Sequence, residues 1–327
     1  MADEAAVSPD SPGSPNAIEP GPTGAAMMPS LAPRRVPGGN AAVPAAIAIA
    51  IARSAARRLL APLRSPRNPF GLIWLYRIAL WRTTANEVRQ RYAGSTIGLF
   101  WLALAPGLLL ALYGCVFVFI YKTQPAGMDT TGYLLQLFAG LLPFLAFSEA
   151  LLTGSGAVLA NRAVLLNTVY PAELVSVRTV LASHAVAVLG FALLVGLTLV
   201  VGRASWALLL VPIVLVLQVM FVCGLVWPLS LANLVLRDIQ QVLAFVTTAL
   251  MIVSPIAFSP DAAPGVLKLL VILNPLSYFI LTLQSLVVFG TLPSMKVILV
   301  MLALVFGTFL IGFRLFQRGK LAFWDYA

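Results

Sequence analysis

Two ionisable side chains interrupt long apolar runs in this chain: Glu149, and His184, which is its only histidine. Placing a charged group at the centre of a bilayer costs about 2.5 to 3.5 kcal/mol on insertion scales, so such a group is a functional candidate by default. Two readings of Glu149 stand. It is either a working carboxylate or a structural tie near the inner end of its helix, paired with Arg162 or Arg178. His184 is expected to hydrogen-bond a neighbouring helix rather than carry protons. The chain has no Gly-x-x-x-x-Gly-Lys-Ser/Thr loop to cradle a nucleotide. It also lacks a nucleophile elbow, a His-rich metal spacing and the dense intramembrane carboxylates of proton-coupled carriers. No catalytic residue, metal site or cofactor is therefore assigned to it, and any use of ATP must come from a partner. Cys115 and Cys223 both lie in apolar runs; neither a disulfide nor a metal site is supported, and both are expected to be small core residues.

The elements that carry these groups follow from composition. A chain of 327 residues that is 60% hydrophobic and 10% charged cannot hide its apolar surface in one water-soluble core. Uncharged runs of about 20 residues place six spans at about 98–121, 133–158, 179–202, 206–236, 239–259 and 297–313, an all-α polytopic membrane protein. The apolar stretch 269–295 is broken by Asn274, Pro275 and "FGTLP", which predicts two short helices that dip into the outer leaflet and return. Residues 1–68 form a Pro/Ala-rich leader expected to be disordered. Over residues 69–96, Trp74, Ile78, Trp81, Ala85, Val88 and Tyr92 recur at steps of four and three. That period predicts an amphipathic helix in the headgroup layer, with Arg77 and Arg82 snorkelling to phosphate. Gly94 and Gly98 then let the chain turn into the first span, and residues 97–327 make up the transmembrane domain.

The net charge of +10 reads as an orientation signal rather than a nucleic-acid groove. With six spans, the basic leader, Arg162, Arg178, Arg237, Arg314, Arg318 and Lys320 share one side, whereas Lys122, Arg203, Lys268 and Lys296 lie on the other. The excess of Lys and Arg predicts that both termini are cytoplasmic, in a cytoplasmic (inner) membrane.

Three stretches have shapes worth noting. In "NLVLRDIQQ", Asp238 and Gln241 have capping-box spacing, so Asp238 can cap the fifth span while Arg237 holds the turn at the headgroups. Tyr113, Phe117 and Tyr121 share one helical face, which is either a lipid-facing or core stripe or a surface for stacking sugar rings. Gln218, Asn233, Thr247, Thr248 and Ser254 are the polar companions for such a passage. Between spans two and three, "NRAVLLNTVYPAE" is longer than a hairpin turn requires. It can form two turns of helix before Pro171, with Val164, Leu165 and Val169 available to dock and Asn161, Arg162 and Asn167 left in water.

In order along the chain, "VRQRYAGSTIGLFWLALAP", "GLLPFLAFSEALLTG", "NRAVLLNTVYPAELVSVRTVLASH", "NLVLRDIQQVLAFVTTALMIVSPIAFSP", "LNPLSYFILTLQSLVVFG" and "FRLFQRGKLAFWDYA" resemble the membrane subunit of type-2 ABC exporters for polysaccharides. This is the family that moves O-antigen, capsular polysaccharide and teichoic acid, and the likeness runs from about residue 80 to 327. The resemblance implies a homodimer of six-span subunits joined to two ATPase subunits that hold ATP and Mg. It implies a lipid-linked polysaccharide as substrate, moved through a passage around the dimer axis, with membrane lipid around it and no nucleic acid. It assigns Arg91, Tyr92 and Ser95 to the junction of interface helix and span one. From the residues themselves, these three join Glu149, Arg237 and Asp238 as a candidate cytoplasmic gate or turn, with plain helix-end chemistry as the alternative for Arg237 and Asp238. The resemblance also makes the re-entrant pair between 261 and 293 an outer gate. Asn161, Arg162, Leu165, Leu166, Val169, Tyr170 and Pro171 become a coupling helix seated on the ATPase, with an interfacial connector as the plainer alternative. The long leader departs from the family pattern, as does "VYPAE", where Tyr-Phe-Pro is common. A type-2 ABC exporter of a drug or lipid is the alternative within transport. A membrane-embedded glycan- or lipid-modifying enzyme is the alternative outside it, disfavoured because acidic and histidine groups are scarce near either membrane face.

Overall fold

The computed structural model describes residues 68–116, 128–167, 170–236, 238–258 and 264–326, with side chains through residue 320. The leader before Asn68, together with Phe117, Tyr121, Val169 and Arg237, lies outside the described residues. Within them every regular element is helical. In chain order these are α1 (Pro69–Leu75), α2 (Arg77–Arg91), α3 (Trp101–Cys115), α4 (Thr130–Ala160), α5 (Arg162–Asn167) and α6 (Ala172–Val200). They are followed by α7 (Val211–Val235), α8 (Ile239–Val253), α9 (Gly265–Leu273), α10 (Pro275–Gln284) and α11 (Met295–Tyr326).

Five of these helices, counting the short 3₁₀ turns that extend α3 and α7 at their starts, are long and apolar enough to cross a membrane. The span expected at 239–259 is shorter than its apolar run. α8 has 15 residues, about 22 Å at 1.5 Å per residue against a hydrocarbon core of about 30 Å. It stops because Pro255 follows: the residue before a proline is pushed out of the α region, and Ser254 takes φ −71°, ψ 137°. A sixth span exists if α9 and α10, with the π turn Ser285–Phe289, count as one. These two are bent by 94° at Asn274, whose Oδ1 accepts from Leu276 N at 3.0 Å and whose Nδ2 donates to Ser254 Oγ at 2.9 Å. Asparagine before proline is good helix-start chemistry, so the turn residues read from the sequence do break the run there.

α4 sits at the centre of the bundle against α6 and α7, and α11 runs along α7. α7 and α11 cross at two glycines. A methyl group on Gly224 would strike the backbone at Thr308 and Phe309, and one on Gly312 would strike the backbone of Gly224. Small residues allow this closeness, and lipid supplies no hydrophobic force to replace the packing it gains. Beside the crossing, Trp227 is buried between Phe309 and Phe313, with ring centroids 5.1 and 5.2 Å away. α2 and α3 both pack on α6, but α3 leaves most of its surface uncovered. Cys115, expected in a core, is accordingly exposed, while Cys223 is buried.

The opposite end of the bundle, where α4 starts and α6 stops, is tied differently. Arg203 forms an ion pair with Asp129, and its hydrogen bond holds the Asp129 carboxyl below the usual carboxylate range. Gln284 Nε2 lies within 3.2 Å of the carbonyl oxygens of Gln136, Pro255 and Ile256, and so ties the bent pair to α4 and the segment after α8. A depressed carboxylate stabilises the fold above its unfolded pKa and loses that contribution as pH falls through its folded value. The exposed Asp129 pair should therefore weaken only under acid, and Asp129→Asn should remove that pH dependence from the unfolding curve while leaving stability at neutral pH and high salt unchanged.

Candidate functional site

At the end where α4 passes through α5 into α6, a polar network joins the three helices α2, α4 and α6. Arg91, in the last turn of α2, pairs with Glu149 of α4 and donates to Ser183 Oγ of α6 at 3.0 Å. Glu87, one turn earlier on α2, lies 3.7 Å from Arg91. On its other side Glu87 Oε2 is 3.0 Å from Arg178 Nε of α6, an ion pair whose angle falls short of a hydrogen bond. Arg178 also donates to the side-chain oxygen of Asn161, the residue that closes α4 and precedes α5. Thr153 and Ser183 share a hydrogen bond at 3.1 Å. Thr83 of α2 lies 3.4 Å from the Tyr170 hydroxyl, which burial pushes above the ordinary phenol range.

Helix geometry explains the level of the network. α4 has 31 residues, about 46 Å, which exceeds the hydrocarbon thickness by about 16 Å. Glu149 and Ser183 lie equally far from the α4–α5–α6 turn, eleven residues before Ala160 and eleven after Ala172, so one guanidinium reaches both. Two arginines face two glutamates, so the charge closes within the network. The partner of Glu149 is Arg91 rather than Arg162 or Arg178, because α2 packs on α6 and brings Arg91 to it. Burial, and then the Glu149 carboxylate, push the Tyr92 phenol upward against the opposing pull of Arg91. Ser95 caps the turn after α2 by accepting from Gly98 N at 3.3 Å, and Gly94 and Gly98 take φ of 82° and 57°, values that favour glycine.

The faces of α5 differ from the expected ones. Leu165 is turned inward, 3% exposed, whereas Val164 is 49% exposed, with Arg162 and Asn167 also on the outside and Leu166 half-buried. Leu165 therefore docks into its own bundle. Just past Pro171, Glu173 in the first turn of α6 is buried and accepts from Gln317 at 2.6 Å and Lys320 at 2.8 Å. Its backbone oxygen takes the Trp227 indole N–H at 3.0 Å.

Other expected residues lie elsewhere. Gln218 is buried and donates to the Pro143 carbonyl at 2.6 Å. Asn233 is buried 15 residues further along α7, about 22 Å away. Thr247 is buried and Thr248 exposed, both bonded back to Ala244 O, and Tyr113 is half-buried on α3. Asp238 occupies the N-cap of α8 but its side chain makes no cap hydrogen bond; its backbone oxygen serves Gln241 and Val242 instead. His184 bonds to Val180 O of its own helix at 2.9 Å, not to a neighbouring one. Glu87, Ser183, Glu173 and Lys320 were missed from sequence. Only Glu87 had a local signal, its i, i+4 spacing to Arg91.

None of this is an acid–base or nucleophilic constellation; its parts hold helices to one another. Residues 78–288 match the family described as ABC-2 type transporter. The chain belongs to that family. The ABC-2 chain is 24% identical over 234 residues to the O-antigen export system permease protein RfbA of Myxococcus xanthus, covering 71% of this chain and 88% of the relative. It is also 24% identical over 243 residues to a protein of the same name from Klebsiella pneumoniae, covering 73% and 91%. This ABC-2 chain is accordingly a multi-pass transporter rather than an enzyme. Within its network, Glu87→Ala should leave two arginines under-compensated. With these side chains about a fifth exposed, the cost lies between that of surface and buried pairs, about 1 to 2 kcal/mol. Thermal unfolding in detergent should show it as a fall of a few degrees that Glu87→Asp partly restores.

Proposed function

We propose that this chain is the membrane subunit of an exporter that moves a lipid-linked polysaccharide across the cytoplasmic membrane, driven by ATP hydrolysed on a separate subunit. The observation that carries the reading is the network from Asn161 through Arg178 and Glu87 to Arg91 and Glu149. A force applied at α5 would pass through the adjoining Asn161 to Arg178 of α6, and through the charged contacts beyond it to α2 and α4. α5 is then the coupling helix, with Val164, Arg162 and Asn167 toward the ATPase. The names of the relatives support polysaccharide as cargo, and the absence of a nucleotide-binding loop supports a partner that carries ATP and Mg. Two copies of the chain would assemble with two ATPase subunits, the uncovered apolar faces of α3 and α8 meeting lipid and the second copy. The distribution of Lys and Arg supports cytoplasmic termini. The exposed Trp74, Ile78 and Trp81 suit α1 and α2 to the headgroup layer, and the bent α9–α10 pair suits a re-entrant outer element. Deleting the gene should abolish surface polysaccharide and leave lipid-linked polymer inside the cell. Surface glycan undiminished by the deletion would rule the reading out.

A further inference from the structure

A cavity of about 360 Å³ opens between the start of α1 and the far turns of α11, lined by Asn68, Pro69, Phe70, Leu310, Phe313 and Arg314. Its walls divide by chemistry. Phe70, Leu310 and Phe313 make an apolar side, braced where the Phe70 ring meets Phe309 at 5.2 Å between centroids. Arg314 supplies the charge; among the described residues it has no ion pair, and no acidic one of them lines the cavity. The Asn68 carboxamide oxygen is engaged by Phe70 N at 3.1 Å, which leaves its NH₂ group as a donor at the wall.

Depth decides what such a cavity faces. Lys296 is the second residue of α11 and Arg314 lies 18 residues beyond it, about 27 Å, close to the thickness of a hydrocarbon core. With Lys296 at one headgroup level, Arg314 stands at the other. Leu310, one turn back, then lies among the first carbons of the acyl chains. Arg318, one turn on and exposed, is in the headgroup region proper.

From this juxtaposition we infer that the cavity is a binding site for an anionic phospholipid, its phosphate held by Arg314 and Asn68 and the upper part of one acyl chain lying against Phe70, Leu310 and Phe313. Such a lipid would fill the gap between α1 and α11 and join the N-terminal helix to the bundle. The site is separate from the α5 network and does not depend on the cargo.

The full chain, purified in mild detergent, would be mixed with phosphatidylglycerol or phosphatidylcholine and retained lipid read by native mass spectrometry. Phosphatidylglycerol should be retained in preference. Arg314→Gln should weaken its retention about fivefold, as expected for losing one basic contact near the headgroups. Arg318→Gln should weaken it less, and Leu310→Trp, which fills the cavity, should abolish it. Millimolar inorganic phosphate should not displace the lipid. Equal retention of phosphatidylcholine, equal losses in Arg314→Gln and Arg318→Gln, or displacement by phosphate alone would each overturn the assignment. Because Arg314 is exposed, its replacement leaves the fold intact, and unaltered retention in that variant would overturn it as well.

Discussion

Val164→Glu is expected to abolish ATP-driven export and to weaken capture of the ATPase by tenfold or more, while the chain still inserts and folds. Val164 stands 49% exposed on the outer face of α5, so a glutamate there meets water in the free subunit and costs the fold little. Seated in a partner groove, the same carboxylate is desolvated without a counter-charge, and burying even an unpaired neutral polar group costs about 1 to 3 kcal/mol in proteins. Each 1.4 kcal/mol is about tenfold in affinity. Leu165→Asp makes the contrast. That side chain is buried within the subunit, so the substitution should lower the amount of folded protein before any partner is met. Co-purification of the ATPase, measured beside thermal unfolding, separates the two: Val164→Glu should lose the partner at unchanged stability, and Leu165→Asp should lose stability first. Unimpaired capture by Val164→Glu would remove the coupling role of α5.

The second large effect concerns the far side of Pro171. Lys320→Met is expected to destabilise the chain by about 3 kcal/mol, because it strands Glu173, which is 2% exposed, as a buried carboxylate with Gln317 as its remaining side-chain donor. Breaking one side of a buried pair costs about 3 to 5 kcal/mol, far more than replacing both sides. Glu173→Gln combined with Lys320→Met should therefore recover most of the loss. A double-mutant cycle read by thermal unfolding in detergent measures the difference as an interaction energy. If the double variant were no more stable than Lys320→Met alone, the pair would not be holding α11 to the start of α6. The contact fixes the first turn of α6; on the proposed coupling role of α5, it would give a movement of α5 a rigid base from which to move α6.

What the sequence revealed, and what it hid, divides along a physical line. Lipid forces every backbone polar group to be satisfied within its own helix, so long apolar runs announced the helices from Thr130 to Ala160, Ala172 to Val200 and Met295 onward, and Asn274–Pro275 announced the bend. The polar boundary of a run did not mark the helix end: α6 begins at Ala172, with Glu173 and Arg178 inside it, because both charges find partners across helices. Pairings between elements leave no such trace. Glu149 sits 58 residues from Arg91, and nothing local separates Arg91 from Arg162 or Arg178 as its partner. Only the packing of α2 on α6 does. The same limit explains α5, whose apolar residues were visible as a set although its orientation is set by the bundle beneath Leu165. The polarity of Gln218, Asn233 and Thr247 suits a passage, yet polar side chains within apolar helices also serve contacts between them, as Gln218 does at Pro143.

On the proposed function, this subunit carries a lipid-linked polysaccharide across the membrane at the expense of ATP used elsewhere. Inside-out vesicles from cells that make the polymer, treated with a glycosidase from outside, test it most directly. Addition of ATP should move the glycan into the lumen and protect it from digestion, and vesicles lacking this chain or carrying Val164→Glu should show no such protection. Equal protection without ATP, or without the chain, would contradict the account.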